Sequence, residues 1–250
     1  MKLDLELYRS RPITDLSGTR QSKGSIYDIP INRHNPLHKE RDVDLRKLGI
    51  AGANYQFKIL PTIAGAIENL FVRKTVASIL LDIDRELREV GLMLYVSDAY
   101  RPIQVQRIIY WRNFWKIKKG KTKLSDEDIR KEMSGWITKV PPKKRLFLSP
   151  PPHSTGGAVD LDIRQVDGEK LEFGKGKGLM YPDYFEHESK QRSLSAREEE
   201  ARKNRRLLYW LMTEHGFVCN PTEWWHYSIF DQMYADQMGL PAALYGYLGR

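Results

Sequence analysis

Two clusters in this chain set imidazole beside carboxylate. The first is Pro151-Pro152-His153-Ser154-Thr155-Gly156-Gly157-Ala158-Val159-Asp160-Leu161-Asp162, in which His153 and Asp160 are seven residues apart. On an unbroken strand that odd spacing sends the two side chains to opposite faces. The Gly156-Gly157 pair permits a sharp turn, so both can meet at one point. Such a meeting suits a metal ion, although a glycine turn before a strand with solvent-facing acids fits this segment equally well. The second cluster, Glu223-Trp224-Trp225-His226-Tyr227, decides for the metal. Strand parity again separates Glu223 from His226, which places Glu223 in a loop or bulge just before a strand carrying His226. Two imidazoles and a carboxylate make a three-ligand zinc site with an open fourth position for water. An unligated glutamate nearby can take that water's proton.

Elements able to position these groups follow from periodicity. From Pro61, the residues Ile67, Leu70, Val76, Ile79, Leu80, Ile83, Leu87 and Val90 recur at steps of three and four, predicting a long helix with one buried face that Gly91 ends. Leu92 to Val96 reads as a buried strand that delivers Ser97 and Asp98 at its end. Pro102 is placed to open a helix through Trp115, so Arg101 falls at a strand-to-helix junction. Ser125 with Asp128, and Ser195 with Glu198, resemble capping boxes, the second opening a helix that Gly216 stops. Ala158 to Ile163 and Trp225 to Phe230 read as further strands. Residues 1–54 are polar, contain Pro12, Pro30 and Pro36, and predict an irregular arm packed on a domain of residues 55–250. Helices and strands mix without regular alternation. The expected fold is therefore α+β, with a small, mainly antiparallel sheet carrying the zinc site and flanked by helices.

Composition bounds the reading. The chain has 250 residues, 41% of them hydrophobic, and a formal charge of +9, a globular rather than disordered profile. Its one cysteine, Cys219, cannot form an internal disulfide. The opening residues carry acids where a secretory signal needs an apolar run, and no stretch is apolar enough for a membrane span. The expectation is a cytoplasmic protein. Positive charge concentrates between Lys116 and Arg145, compatible with an anionic partner. No aromatics interleave with those lysines as a single-strand platform requires, so nucleic acid is disfavoured.

Taken together, these motifs resemble the zinc D-alanyl-D-alanine dipeptidases associated with vancomycin resistance, within the wider group of D-Ala-D-Ala metallopeptidases related to lysostaphin-type and hedgehog-type domains. The pattern S-x-H-x-x-G-x-A-x-D corresponds to Pro151 through Asp160, E-x-W-H to Glu223 through His226, and D-x-Y-R-P to Asp98-Ala99-Tyr100-Arg101-Pro102. The resemblance covers about residues 55–230 and implies that His153, Asp160 and His226 bind one zinc ion per chain. It further implies Glu223 as general base and then proton donor, and Arg101 as the oxyanion's partner, a role that suits a fixed, permanently charged donor fork. On the substrate side it implies Asp183 for the free amine of a small peptide, with Tyr100, Trp224 and Trp225 lining the pocket. Pro151 stands where the family has serine, and the triple proline Pro150-Pro151-Pro152 stiffens the approach to His153. Asp162, on the strand face of Asp160, is a candidate acceptor for a ligand histidine. His34, His38, His187 and His215 have simpler structural readings, as does Cys219. The implied activity is hydrolysis of D-alanyl-D-alanine or a related dipeptide. The alternatives are a D,D-carboxypeptidase or endopeptidase acting on peptidoglycan peptides, and a non-catalytic zinc-containing binding module using the lysine-rich region.

Overall fold

A computed structural model describes residues 3–18, 28–56, 65–134, 137–174 and 180–249. The fold is α+β, as the patterning predicts. Its central sheet has five strands in the order β2 (Ala51–Gly52), β4 (Leu92–Asp98), β5 (Ala158–Gln165), β7 (His226–Ser228) and β6 (Val218–Cys219). Only β2 and β4 run parallel; the other neighbours are antiparallel. A separate antiparallel pair joins β1 (Asp42–Asp44) to β3 (Phe71–Arg73).

Alternation along β5 explains how one strand serves both core and site. Val159, Leu161 and Ile163 are buried in the main core, where they meet Leu80, Ile83 and Leu87 of α2 (Lys74–Arg88) and Leu207, Leu208 and Leu211 of α7 (Ala196–Glu214). Asp160 and Asp162 therefore project from the other face. Both expected capping boxes form: Ser195 and Glu198 bond reciprocally at the start of α7, and Ser125 with Asp128 does so before α4 (Asp126–Ser134). Pro102 precedes α3 (Ile103–Gly120). The helix expected from Pro61 is shorter than its periodicity suggests. Residues 61–64 lie outside the described residues, and α2 begins only at Lys74. The preceding residues are drawn into strand pairing, because the Leu70 N–H donates to Asp44 Oδ1 and the Arg73 N–H to the Gly156 carbonyl.

The N-terminal stretch is more structured than an irregular arm. Helix α1 (Leu5–Ser10) packs on α7, where Arg9 pairs with Glu200 and Arg11 with Glu214, both at 2.6 Å. Leu45 and Ile50 enter the core, and Ala51–Gly52 adds the parallel edge strand. The core thus begins before Tyr55. Among the described residues, no helix is long and apolar enough to cross a membrane.

Candidate metal centre

One row across three strands builds the centre. Asp160 on β5 is opposite Asp98 on β4 and His226 on β7. Val96 pairs with Leu161 on the core face, so a regular ladder would put Ser97 opposite Asp160. A bulge at this point brings Asp98 into that place instead, and the anchor for Arg101 joins the site row. His153 arrives from a 3-10 turn, Pro152–Thr155, that ends at Gly156 with φ 75°. Gly157 lets the chain pass close: a Cβ there would lie 2.6 Å from the Ile229 carbonyl oxygen. The turn is tied to the strand-helix junction twice, by the Arg101 N–H donating to the His153 carbonyl (3.1 Å) and by Ser154 Oγ donating to the Arg101 carbonyl (2.8 Å). From the opposite side the buried Arg73 guanidinium grips the carbonyls of Thr155, His38, Glu40 and Gly246.

These elements bring His153, Asp160 and His226 together. His153 Nε2 is 3.1 Å from His226 Nδ1 and 3.3 Å from Asp160 Oδ1, while His226 Nδ1 is 2.9 Å from the same oxygen. Their chemistry fits a cation. His153 Nδ1 lies 2.8 Å from the Ala99 carbonyl oxygen, which can only accept, so Nδ1 bears the hydrogen and Nε2 turns its lone pair to the cluster. His226 Nε2 faces Ser228 Oγ at 3.3 Å, and donation there leaves Nδ1 for the cluster. Two lone pairs and a carboxylate oxygen meeting at one point repel unless a positive charge lies between them. A tetrahedral ion with bonds of about 2.0–2.1 Å holds its ligand atoms about 3.3 Å apart, close to the spacing found. Burial acts to raise the Asp160 pKa, but the two imidazoles outweigh it and hold the carboxyl far below its usual range.

Glu223 lies in the tight loop between β6 and β7, just before His226, as parity requires. The loop is closed by the Asn220 N–H on the His226 carbonyl and the His226 N–H on the Glu223 carbonyl. Burial pushes the Glu223 carboxyl up to about 7, with Asp160 adding to the rise while His226, Arg101 and Asn220 oppose it. Asn220 Nδ2 donates to Oε2 at 3.0 Å. Arg101 is nearly buried: its Nε and Nη2 donate to Asp98 Oδ2 (3.0 and 2.6 Å), its Nη1 to Gln106 Oε1 (2.7 Å), and Nη2 is 3.8 Å from Asp160 Oδ2. Of its five N–H donors, three are so engaged among the described residues. The salt bridge with Asp98 is therefore what aims the guanidinium at the site.

Other expected site residues fall differently. Asp183 belongs to a second cluster, with Asp15 and His187: it is fully buried, and its Oδ2 accepts from the Leu16 N–H (2.9 Å) and lies 3.1 Å from His187 Nε2. Trp224 stacks on Phe173 with parallel rings 4.5 Å apart and meets Trp225 edge-on, while Tyr100 is wholly buried with its backbone tied to Phe71 and Gln56. Asp162 is not the acceptor for either clustered histidine; it pairs with Arg164 at 3.0 Å, and the partners of His153 and His226 are Ala99 and Ser228. Cys219 is buried against the Glu223 carbonyl, and burial raises its thiol pKa so far that it stays protonated. Sequence reasoning missed Ser228, Asn220 and Gln106. Only Ser228 left a signal, being two residues from His226 and so on its strand face.

Residues 62–240 match the family model described as D-Ala-D-Ala dipeptidase. The chain is 28% identical over 163 residues to the D-alanyl-D-alanine dipeptidase of Synechocystis sp., a match covering 58% of this chain and 62% of the relative. It is 29% identical over 139 residues to that of Escherichia coli, covering 56% of each. To that of Enterococcus faecalis it is 28% identical over 172 residues, covering 68% of this chain and 78% of the relative. The match thus spans less than two thirds of the length of the first two. Among solved structures, a mutant of the vancomycin resistance D,D-pentapeptidase VanY in complex with Zn(II) superposes with a TM-score of 0.42 at 14% identity, covering 86% of this chain and 96% of that one.

Proposed function

Because the chain belongs to the D-Ala-D-Ala dipeptidase family, we propose that it is a zinc metallopeptidase hydrolysing D-alanyl-D-alanine or a closely related dipeptide, with one ion per chain. The observation that carries this reading is the convergence of His153 Nε2, Asp160 Oδ1 and His226 Nδ1 beside a glutamate that is not part of the trio. A zinc ion held by those three atoms would supply Lewis-acid polarisation of the scissile carbonyl and an acidified water. The remaining work falls to the chain's own groups. Asn220 fixes Glu223 Oε2, leaving Oε1 to take the proton of the attacking water and return it to the departing amine. A carboxyl raised toward neutrality can do both. Arg101, aimed by Asp98 and Gln106, presents its two remaining N–H groups to the oxygen on which negative charge grows. Asp183, occupied by Leu16 and His187, carries no step in this reading.

The direct test is release of free alanine from D-Ala-D-Ala by zinc-loaded protein, with and without chelator. Chelator-sensitive turnover is expected, and absence of turnover by folded, zinc-loaded protein would remove this function. A second measurement concerns how the trio is held. Ser228→Ala removes the acceptor for His226 Nε2–H, and zinc affinity measured by chelator competition should fall about 10- to 100-fold. Ser228→Thr, which keeps the hydroxyl, should recover most of it.

A further inference from the structure

The outer face of α3 carries one sign of charge. No acidic residue occurs between Asp98 and Asp126, while that interval holds Arg101, Arg107, Arg112, Lys116, Lys118, Lys119, Lys121 and Lys123. Lys118 and Lys121 are neutralised by Asp126 (2.9 Å) and Glu132 (2.8 Å). Arg107, Arg112, Lys116 and Lys119 are exposed and enter no ion pair among the described residues. Two indoles share their face: Trp111 is 38% and Trp115 55% exposed, both high for so large an apolar group. At 3.6 residues per turn, Arg107, Trp111, Trp115, Lys119 and Arg112 follow one another around an arc of about 140°, with the tryptophans at its centre and cations on both sides. The two rings sit edge to face against Phe114 (centroids 5.3 Å), which braces them outward. In sequence the tryptophans come just before the lysines; helical winding is what interleaves them.

We propose that this face of α3 docks on a bilayer rich in anionic phospholipid. Cations flanking a pair of amphipathic rings match a surface with phosphate charge outside and apolar chains just beneath, where indoles settle at headgroup depth. A dissolved polyanion satisfies the cations but offers the rings no apolar layer. The opposite side of α3 is committed to the protein through Ile103, Val105, Ile109, Tyr110 and Phe114, so the helix lies flat as a peripheral contact and does not insert. Each cation near such a surface multiplies binding by about fivefold.

The test is co-sedimentation of the full chain with vesicles of equimolar phosphatidylglycerol and phosphatidylcholine, and with pure phosphatidylcholine. Binding to the first and not the second is expected. The double variant Trp111→Ala/Trp115→Ala should lose at least tenfold in partitioning, and Arg107→Glu/Lys119→Glu a similar amount. Both variants should keep the native circular dichroism spectrum, because their side chains are exposed. Three results would overturn the proposal: no binding to anionic vesicles; wild-type binding by the double tryptophan variant; or a single-stranded oligonucleotide bound more tightly than the vesicles and lost in that same variant, which would assign the face to nucleic acid.

Discussion

Glu223→Gln is expected to retain the proposed zinc ion and to lower kcat on D-Ala-D-Ala by about a thousandfold, within the range typical of a positioned acid-base group. Glutamine preserves size and the hydrogen bond to Asn220 but cannot accept the water's proton. Its side chain is not among the three converging ligand atoms, so the ion should stay. Metal analysis beside steady-state kinetics separates the two properties. If the variant loses zinc along with activity, Glu223 is a ligand and the division of labour proposed above fails.

Arg101 is expected to give the second large effect, and two substitutions divide its roles. Arg101→Lys keeps a positive charge beside Asp98 but replaces the planar fork with a single ammonium, so kcat should drop about 10²- to 10³-fold while the fold survives. Arg101→Ala has a structural cost as well. Asp98 Oδ1 keeps donors from Gln56 and the Ala99 N–H, but Oδ2 is held by Arg101 among the described residues, inside a side chain only 1% exposed. Stranding that charge should cost about 3–5 kcal/mol, read from denaturant unfolding. Wild-type kcat in the lysine variant would show that the guanidinium serves structure alone.

The Arg101 effect traces to a pairing register that no short segment encodes. The bulge beside Ser97 sets Asp98 next to Asp160, and without it Arg101 would be aimed by nothing in the site row. Its presence is not visible in Leu92-Met93-Leu94-Tyr95-Val96-Ser97-Asp98, which reads as an ordinary buried strand. The start of α2 was hidden in a similar way. Leu70 and Val72 fit a helical face as well as a strand, and partners remote in sequence, Asp44 and Gly156, claim the Leu70 and Arg73 N–H groups. Residues 42–52 looked irregular because their strands are two and three residues long, too short for alternation to register.

What the sequence by itself determined is the candidate groups and their local carriers. The paired glycines after His153, the parity break between Glu223 and His226, the proline opening α3 and the two capping boxes act over a few residues, through dihedral limits and neighbouring hydrogen bonds, and each formed. Tertiary structure alone decided which groups act on one another: Ala99 and Ser228 orienting the imidazoles, Asp98 and Gln106 aiming the arginine, Asn220 holding the glutamate, and Leu16 occupying Asp183. The physical reason is range. Backbone preference is set by adjacent residues, whereas register and side-chain partnership depend on segments remote in sequence, 167 residues apart for Leu16 and Asp183, meeting only when the core closes.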